Sequence, residues 1–110
     1  MGHAMIDIVQ PFVQRGLFAT PEKAVAEMAQ DYVLRQIERY RAADERLQAK
    51  YGMTYDQFEA YLRARSTTLA TAPDVKLNQA VMLEEEDAQD WRIAREMLTS
   101  WLGLQGEVAA

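Results

Sequence analysis

The chain has 110 residues, 49% of them hydrophobic and 26% charged, a profile that suits one globular domain and argues against a chain disordered throughout. It contains no cysteine and a single histidine, His3. Disulfides, thiolate metal sites and cysteine nucleophiles are thereby excluded, and a cysteine-free chain fits a cytoplasmic, reducing setting. The formal charge of −5 is unevenly placed: residues 1–83 balance ten acidic against ten basic side chains, whereas residues 84–110 set seven acidic groups against Arg92 and Arg95.

Met1–Ala4 reads as a vector-derived scar, with the natural chain expected to start at Met5. His3 falls inside that scar, which leaves no histidine for a Ser-His-Asp triad or a zinc site. Residues 5–9 alternate apolar and polar side chains over too few positions to separate a short strand from the first turns of a helix. Phe12, Val13 and Leu17 continue the apolar content, and Gly16 offers a helix stop. Thr20-Pro21-Glu22 is a strong helix start: a capping hydroxyl, a proline suited to the first helical position, and an acid at the positive end of the dipole. From Pro21 to Lys50, apolar residues recur at steps of three and four, among them Val33, Ile37, Tyr40 and Leu47. This predicts one amphipathic helix about 45 Å long. Such a helix outreaches a compact monomer of this size. A second copy of the chain would cover its far half, so Val33, Ile37, Tyr40 and Leu47 are expected to form a homodimer interface.

Tyr51-Gly52 should end this helix, and Thr54 with Gln57 has the spacing of a capping box for the next. Tyr55, Phe58, Tyr61 and Leu62 form the apolar face of that helix, which is expected to reach Arg65 or Ser66. Residues 66–78 read as a loop, whose ordering on binding the sequence leaves open, with Asp74 a candidate cap for a short segment from Val75 to Leu83. Glu84–Leu102 reads as the last helix, carrying one stripe of Ile93, Met97, Trp101 and Leu104 beside another of Trp91, Ala94, Leu98 and Leu102. Gly103 and Gly106 are expected to end it, followed by a frayed tail.

Catalytic chemistry finds little material. A carboxylate-bridged metal pair in a helical protein usually uses an E-x-x-H motif, and no usable histidine is present. The run from Glu84 to Asp87 is contiguous, so its carboxylates fan around the helix. No phosphate-cradling glycine loop and no nucleophile elbow occurs. The expectation is a protein that is not an enzyme and needs no cofactor. Arg35, Arg39, Arg46 and Lys50 fall on one face of the long helix and could contact nucleic-acid phosphates. Glu38, Asp44 and Glu45 interleave with them, which equally describes a solvated, ion-paired face. The acidic group near the C-terminus could face a basic partner or simply complement a helix start. Trp91 and Trp101 could anchor an interface or fill a core.

The segment Phe12-Val13-Gln14-Arg15-Gly16-Leu17-Phe18-Ala19-Thr20-Pro21-Glu22-Lys23-Ala24-Val25 resembles the stretch that joins the two helices of ribbon-helix-helix antitoxins. Tyr51-Gly52-Met53-Thr54-Tyr55-Asp56-Gln57-Phe58-Glu59 is similar to an element of small antitoxin-like proteins encoded beside toxin genes. Glu86-Asp87-Ala88-Gln89-Asp90-Trp91 is similar to their acidic C-terminal helix. The resemblance implies a prokaryotic toxin–antitoxin partner, helical dimerisation, and masking of a toxin such as a basic ribonuclease. The N-terminal segment Ile6-Asp7-Ile8-Val9-Gln10 departs from the DNA-reading strand of that family, because it holds no Lys or Arg.

The expected fold is therefore mainly α: a long central helix, two or more further helices, a short N-terminal strand left open, and a helical dimer. Residues 5–66 would form the dimerisation region. Residues 67–110 would form a linker and an acidic helix that binds a protein partner through Trp91, Trp101, Glu85, Asp87 and Asp90. The alternatives are a ribbon-helix-helix-type repressor bound to DNA and a helical homo-oligomeric scaffold. No apolar run approaches the ~20 residues of a membrane helix.

Overall fold

A computed structural model describes the backbone of residues 2–109 and the side-chain surroundings of residues 7–108. Met1 of the expected scar lies outside the described residues, as does the side chain of His3. Among the described residues the chain is helical and has no strand: α1 (Gly2–Gln14), α2 (Pro21–Tyr51), α3 (Tyr55–Thr71) and α4 (Val75–Ala109). Residues 5–10, for which strand and helix both stood open, lie within α1.

The helix ends follow local chemistry. At the end of α1, Gly16 adopts φ 75°, its N–H donates to the Val13 carbonyl at 2.9 Å, and Leu17 N–H donates to the Phe12 carbonyl at 3.0 Å. This paired closure satisfies carbonyls that the helix would otherwise leave bare, and the left-handed residue it requires is cheapest as glycine. Thr20 Oγ1 accepts from Lys23 N–H at 3.1 Å and opens α2 at Pro21. Gly52, at φ 63°, closes α2 with a single N–H bond to the Gln48 carbonyl at 2.8 Å. Thr54 and Gln57 then form the expected reciprocal capping box of α3.

Two boundaries differ from expectation. The segment 66–78 is not a loop: α3 continues to Thr71, and α4 begins at Val75. Thr67 and Thr68 turn their hydroxyls back onto the carbonyls of Arg63 and Ala64, four residues earlier, so each hydroxyl finds an acceptor within the helix. Only Ala72-Pro73-Asp74 separates the two helices, and Asp74 Oδ1 caps α4 by accepting from Leu77 N–H at 2.9 Å. The short segment, the last helix and most of the tail are thus one helix of 35 residues. Gly103 and Gly106 lie inside it, since nothing after them supplies a stop.

The chain divides into two compact units. The first comprises Met1–Ile37 with Ser100–Ala110, and the second comprises Glu38–Thr99. This grouping is discontinuous in sequence. In the first unit Val9, Ala24, Val33 and Ile37 are buried, and Tyr32 meets Trp101 edge to face at 5.7 Å. In the second unit the core is aromatic. Leu47, Tyr55, Phe58, Leu62 and Trp91 pack together, with Tyr51, Met53, Tyr61 and Ala88 against them. Phe58 and Trp91 are wholly buried, with ring centroids 5.6 Å apart. Aromatic pairs at such offsets add to the stabilisation from burial alone.

The burial of α2 changes the argument for a dimer. Val33, Ile37 and Leu47 are each at most 4% exposed within a single chain, and Tyr40 is half-buried. These side chains are already covered, so helix length no longer calls for a second copy at these positions.

Candidate functional site

Within the second unit α4 has two faces of opposite character. Its inner face carries Val81, Trp91 and Ala94, all buried, with the half-buried Glu84, Asp87 and Ala88 alongside. Charged groups on this side are engaged by α2 and α3. The Trp91 indole N–H donates to Asp44 Oδ1 at 2.6 Å, and Arg95 lies 3.8 Å from the same oxygen. Asp87 Oδ2 accepts from Lys50 Nζ at 2.6 Å and from the Tyr51 hydroxyl at 2.5 Å. The hydrogen bond from Lys50, with that from Tyr51, holds the Asp87 carboxyl below the ordinary carboxylate range. Burial, with Asp87 as hydrogen-bond acceptor, pushes the Tyr51 phenol well above its ordinary value. Arg65 bridges Glu84 Oε1 at 2.9 Å and the Tyr61 hydroxyl.

The outer face of α4 is different. Every large apolar side chain that is exposed in the second unit lies on α4: Val75, Met82, Leu83 and Ile93. Val75, Met82 and Ile93 recur at intervals of seven and eleven residues, about two and three turns, so they share one side of the helix. Glu86 lies on this line itself, with Asp90 beside it on one side and Glu85 and Glu96 on the other. All four are exposed. Glu96 faces Arg92 at 3.9 Å. Among the described residues no ion pair engages Glu85, Glu86 or Asp90.

The expected partner-facing residues therefore separate. Glu85 and Asp90 are exposed on α4, as that reading requires. Asp87 is instead held by Lys50 and Tyr51. Trp91 is 0% exposed and has no surface to offer a partner, because Tyr51, Tyr55 and Phe58 pack around its indole. Trp101 is half-buried in the first unit against Tyr32, and its indole nitrogen is covered. The Trp91–Ala94–Leu98 stripe is the inner one, and Ile93 turns outward. Sequence reasoning missed Val75, Met82 and Ile93 as a set. The recurrence over seven and eleven residues was its signal, hidden by the assumed break before Glu84.

Half of the basic stripe on α2 is paired locally. Arg35 pairs with Asp31 at 2.9 Å, Arg39 lies over the Tyr40 ring at 5.2 Å, and Lys50 is bound to Asp87. Arg46 alone of the four is exposed without such a contact among the described residues. Arg35 and Lys50 are thus matched by carboxylates, whereas the ring contact leaves the charge of Arg39 in place.

Among the described residues no three metal-ligating side chains gather as a cage, and no helix is long and apolar enough to cross a membrane. No protein-family model, no curated protein and no solved structure matches the chain.

Proposed function

We propose that the chain is an antitoxin-like binding protein that neutralises a basic partner, such as a ribonuclease toxin, by covering it. The observation that carries this reading is the outer face of α4. Glu85, Glu86 and Asp90 stand without ion-pair partners among the described residues, beside the exposed Met82 and Ile93. Unneutralised carboxylates speed encounter with a basic surface, and apolar side chains among them slow release once water is excluded. The internal ion pairs of α4 contribute nothing to that attraction, since their charges are already met.

The test uses the product of the gene beside this one. That protein is expressed with and without the present chain, and growth is followed. The purified pair is then titrated by calorimetry at two salt concentrations. The reading expects growth to be restored and a complex that weakens with salt. It also expects the charge reversal Glu86→Lys with Asp90→Lys to weaken the complex by about tenfold or more. A neighbouring product that neither binds nor harms growth overturns the reading.

A further inference from the structure

The two corners of the second unit are held differently. At the first, where residues 52–54 join α2 to α3, Tyr51 and Phe58 have ring centroids 4.1 Å apart, Met53 packs against the core, and Tyr55 is buried. At the second, Ala72-Pro73-Asp74 joins α3 to α4, and no side chain from residues 63–80 is buried. Burial stops at Leu62 on one helix and resumes at Val81 on the other. Leu69 and Leu77 are half-buried, but an open cavity of about 270 Å³, lined by Leu69, Pro73, Asp74, Val75 and Asn78, takes the place of packed side chains.

Polar contacts respect the same boundary. Arg65 on α3 bridges Glu84 on α4 at 2.9 Å, and both side chains are half-buried. Beyond this clasp, among the described residues, no side-chain hydrogen bond or ion pair crosses from α3 to α4. The hydroxyls of Thr67, Thr68 and Thr71 bond to carbonyls of their own helix, and Asp74 caps its own. A segment with few buried apolar contacts and no long-range polar ones has little to lose by opening.

We propose that residues 66–80, the corner of α3 and α4 beyond the Arg65–Glu84 clasp, open as one cooperative unit while the aromatic core stays folded, and that this opening is where a protease enters the second unit. The unit spans both helix ends because each shields only the other. Leu69 on α3 and Val75 and Asn78 on α4 line the same cavity, so unwinding either end strips the other of its cover. Lys76 stands inside the unit and is exposed, so a trypsin-like protease cuts there. No partner is needed for this opening.

The experiment is native-state hydrogen exchange on the full chain, read amide by amide by NMR and repeated at low urea concentrations. Amides of residues 67–72 and 78–80 are expected to show at least about a hundredfold less protection than those of residues 58–62 and 88–94. Both groups at the corner should share one opening free energy and one urea slope. Asp74→Ala, which removes the cap of α4, should speed exchange about fivefold on both sides of the corner, residues 67–72 included. Asn78→Leu, which fills the cavity, should slow both groups severalfold. Amide chemical shifts of residues 58–62 and 88–94 report that the core is intact in each variant. Trypsin should cut the second unit first at Lys76, ahead of Lys50 beside the other corner, and Asp74→Ala should speed that cut by the same factor.

Equal protection on the two sides of the clasp overturns the inference. So does a response to Asp74→Ala confined to residues 78–80, because the two helix ends would then fray separately. A first cut at Lys50 overturns the assignment of the corner as the point of protease entry.

Discussion

Trp91 on α4 donates its indole N–H to Asp44 on α2 at 2.6 Å, 47 positions apart in sequence. The indole is wholly buried, while the Asp44 side chain keeps 22% of its surface. The bond therefore runs from the aromatic core to the edge of the second unit. It gives the largest core side chain a polar partner and fixes one rotation of α4 about its axis. That rotation in turn sends Met82, Glu86 and Ile93 outward, so the candidate binding face depends on a contact made on the opposite side of the same helix.

Removing the acceptor should be more harmful than its partial exposure suggests. Asp44→Ala leaves a buried indole N–H without a partner, at a cost of about 1–3 kcal/mol. It also removes the carboxylate that Arg95 approaches at 3.8 Å. Asp44→Asn retains an acceptor oxygen and should lose less. Urea midpoints of the two variants decide the matter, and an Asp44→Ala midpoint equal to that of the parent would dismiss the role assigned to this bond.

The helix starts at Pro21 and Tyr55 and the stop at Gly52 were legible because each is set within a few residues: a hydroxyl three positions before an N–H, or a glycine where the backbone turns left-handed. The segment 66–78 was not, because small β-branched residues fit loops and helices alike until the hydroxyl bonds of Thr67 and Thr68 are known. The acidic surplus after Glu84 was visible, but its sorting was not. Lys50 and Tyr51 reach Asp87 across 37 and 36 positions. Only the fold tells which carboxylates are answered at home and which remain for a partner.

Three glycines should respond to alanine with opposite signs. Gly52 sits at φ 63°, where a Cβ costs about 1–2 kcal/mol, so Gly52→Ala should lower the melting temperature even though nothing lies within 4 Å of the added atom. Gly103 and Gly106 lie in the helical backbone of α4 and also meet nothing within 4 Å. There alanine stiffens the unfolded chain and favours the helix, so Gly103→Ala should stabilise by about 0.5–1 kcal/mol. Gly106→Ala should do less, being nearer the helix end. Thermal melts of the three variants read these directions, and a destabilised Gly103→Ala would contradict a continuous α4.

Acid should act through Asp87. Lys50 and Tyr51 favour its carboxylate, so the folded chain gives up this proton at lower pH than the unfolded chain does. The contribution is fully present above the unfolded carboxyl value, near 3.8, and is lost as pH falls through the folded value. Urea midpoints should therefore decline on acidification below about pH 4–5. Asp87→Asn, which keeps an acceptor for Tyr51 but cannot titrate, should flatten part of that decline. An unchanged slope in this variant would show that other carboxylates govern the acid limb.

Alkali should act through Tyr51 and Tyr55. Burial, with a hydrogen bond donated to Glu59 at 2.7 Å, pushes the Tyr55 phenol up to about 12 against the pull of Arg92 and Arg95. Tyr51 is raised further, by burial and by Asp87. The folded chain thus keeps both protons where the unfolded chain has released them. The stability linked to them is fully present below the ordinary tyrosine value of 10.0 and is lost as pH rises above it. Urea midpoints at pH 11 should fall below those at pH 9, and Tyr51→Phe and Tyr55→Phe should each reduce the difference between the two. In a phenolate absorbance titration of the folded chain, each substitution should remove amplitude only from the part above the ordinary value. Loss of amplitude at the ordinary value instead would mean that these hydroxyls are open to water, and that the contacts of Tyr51 with Asp87 and Tyr55 with Glu59 do not persist in solution.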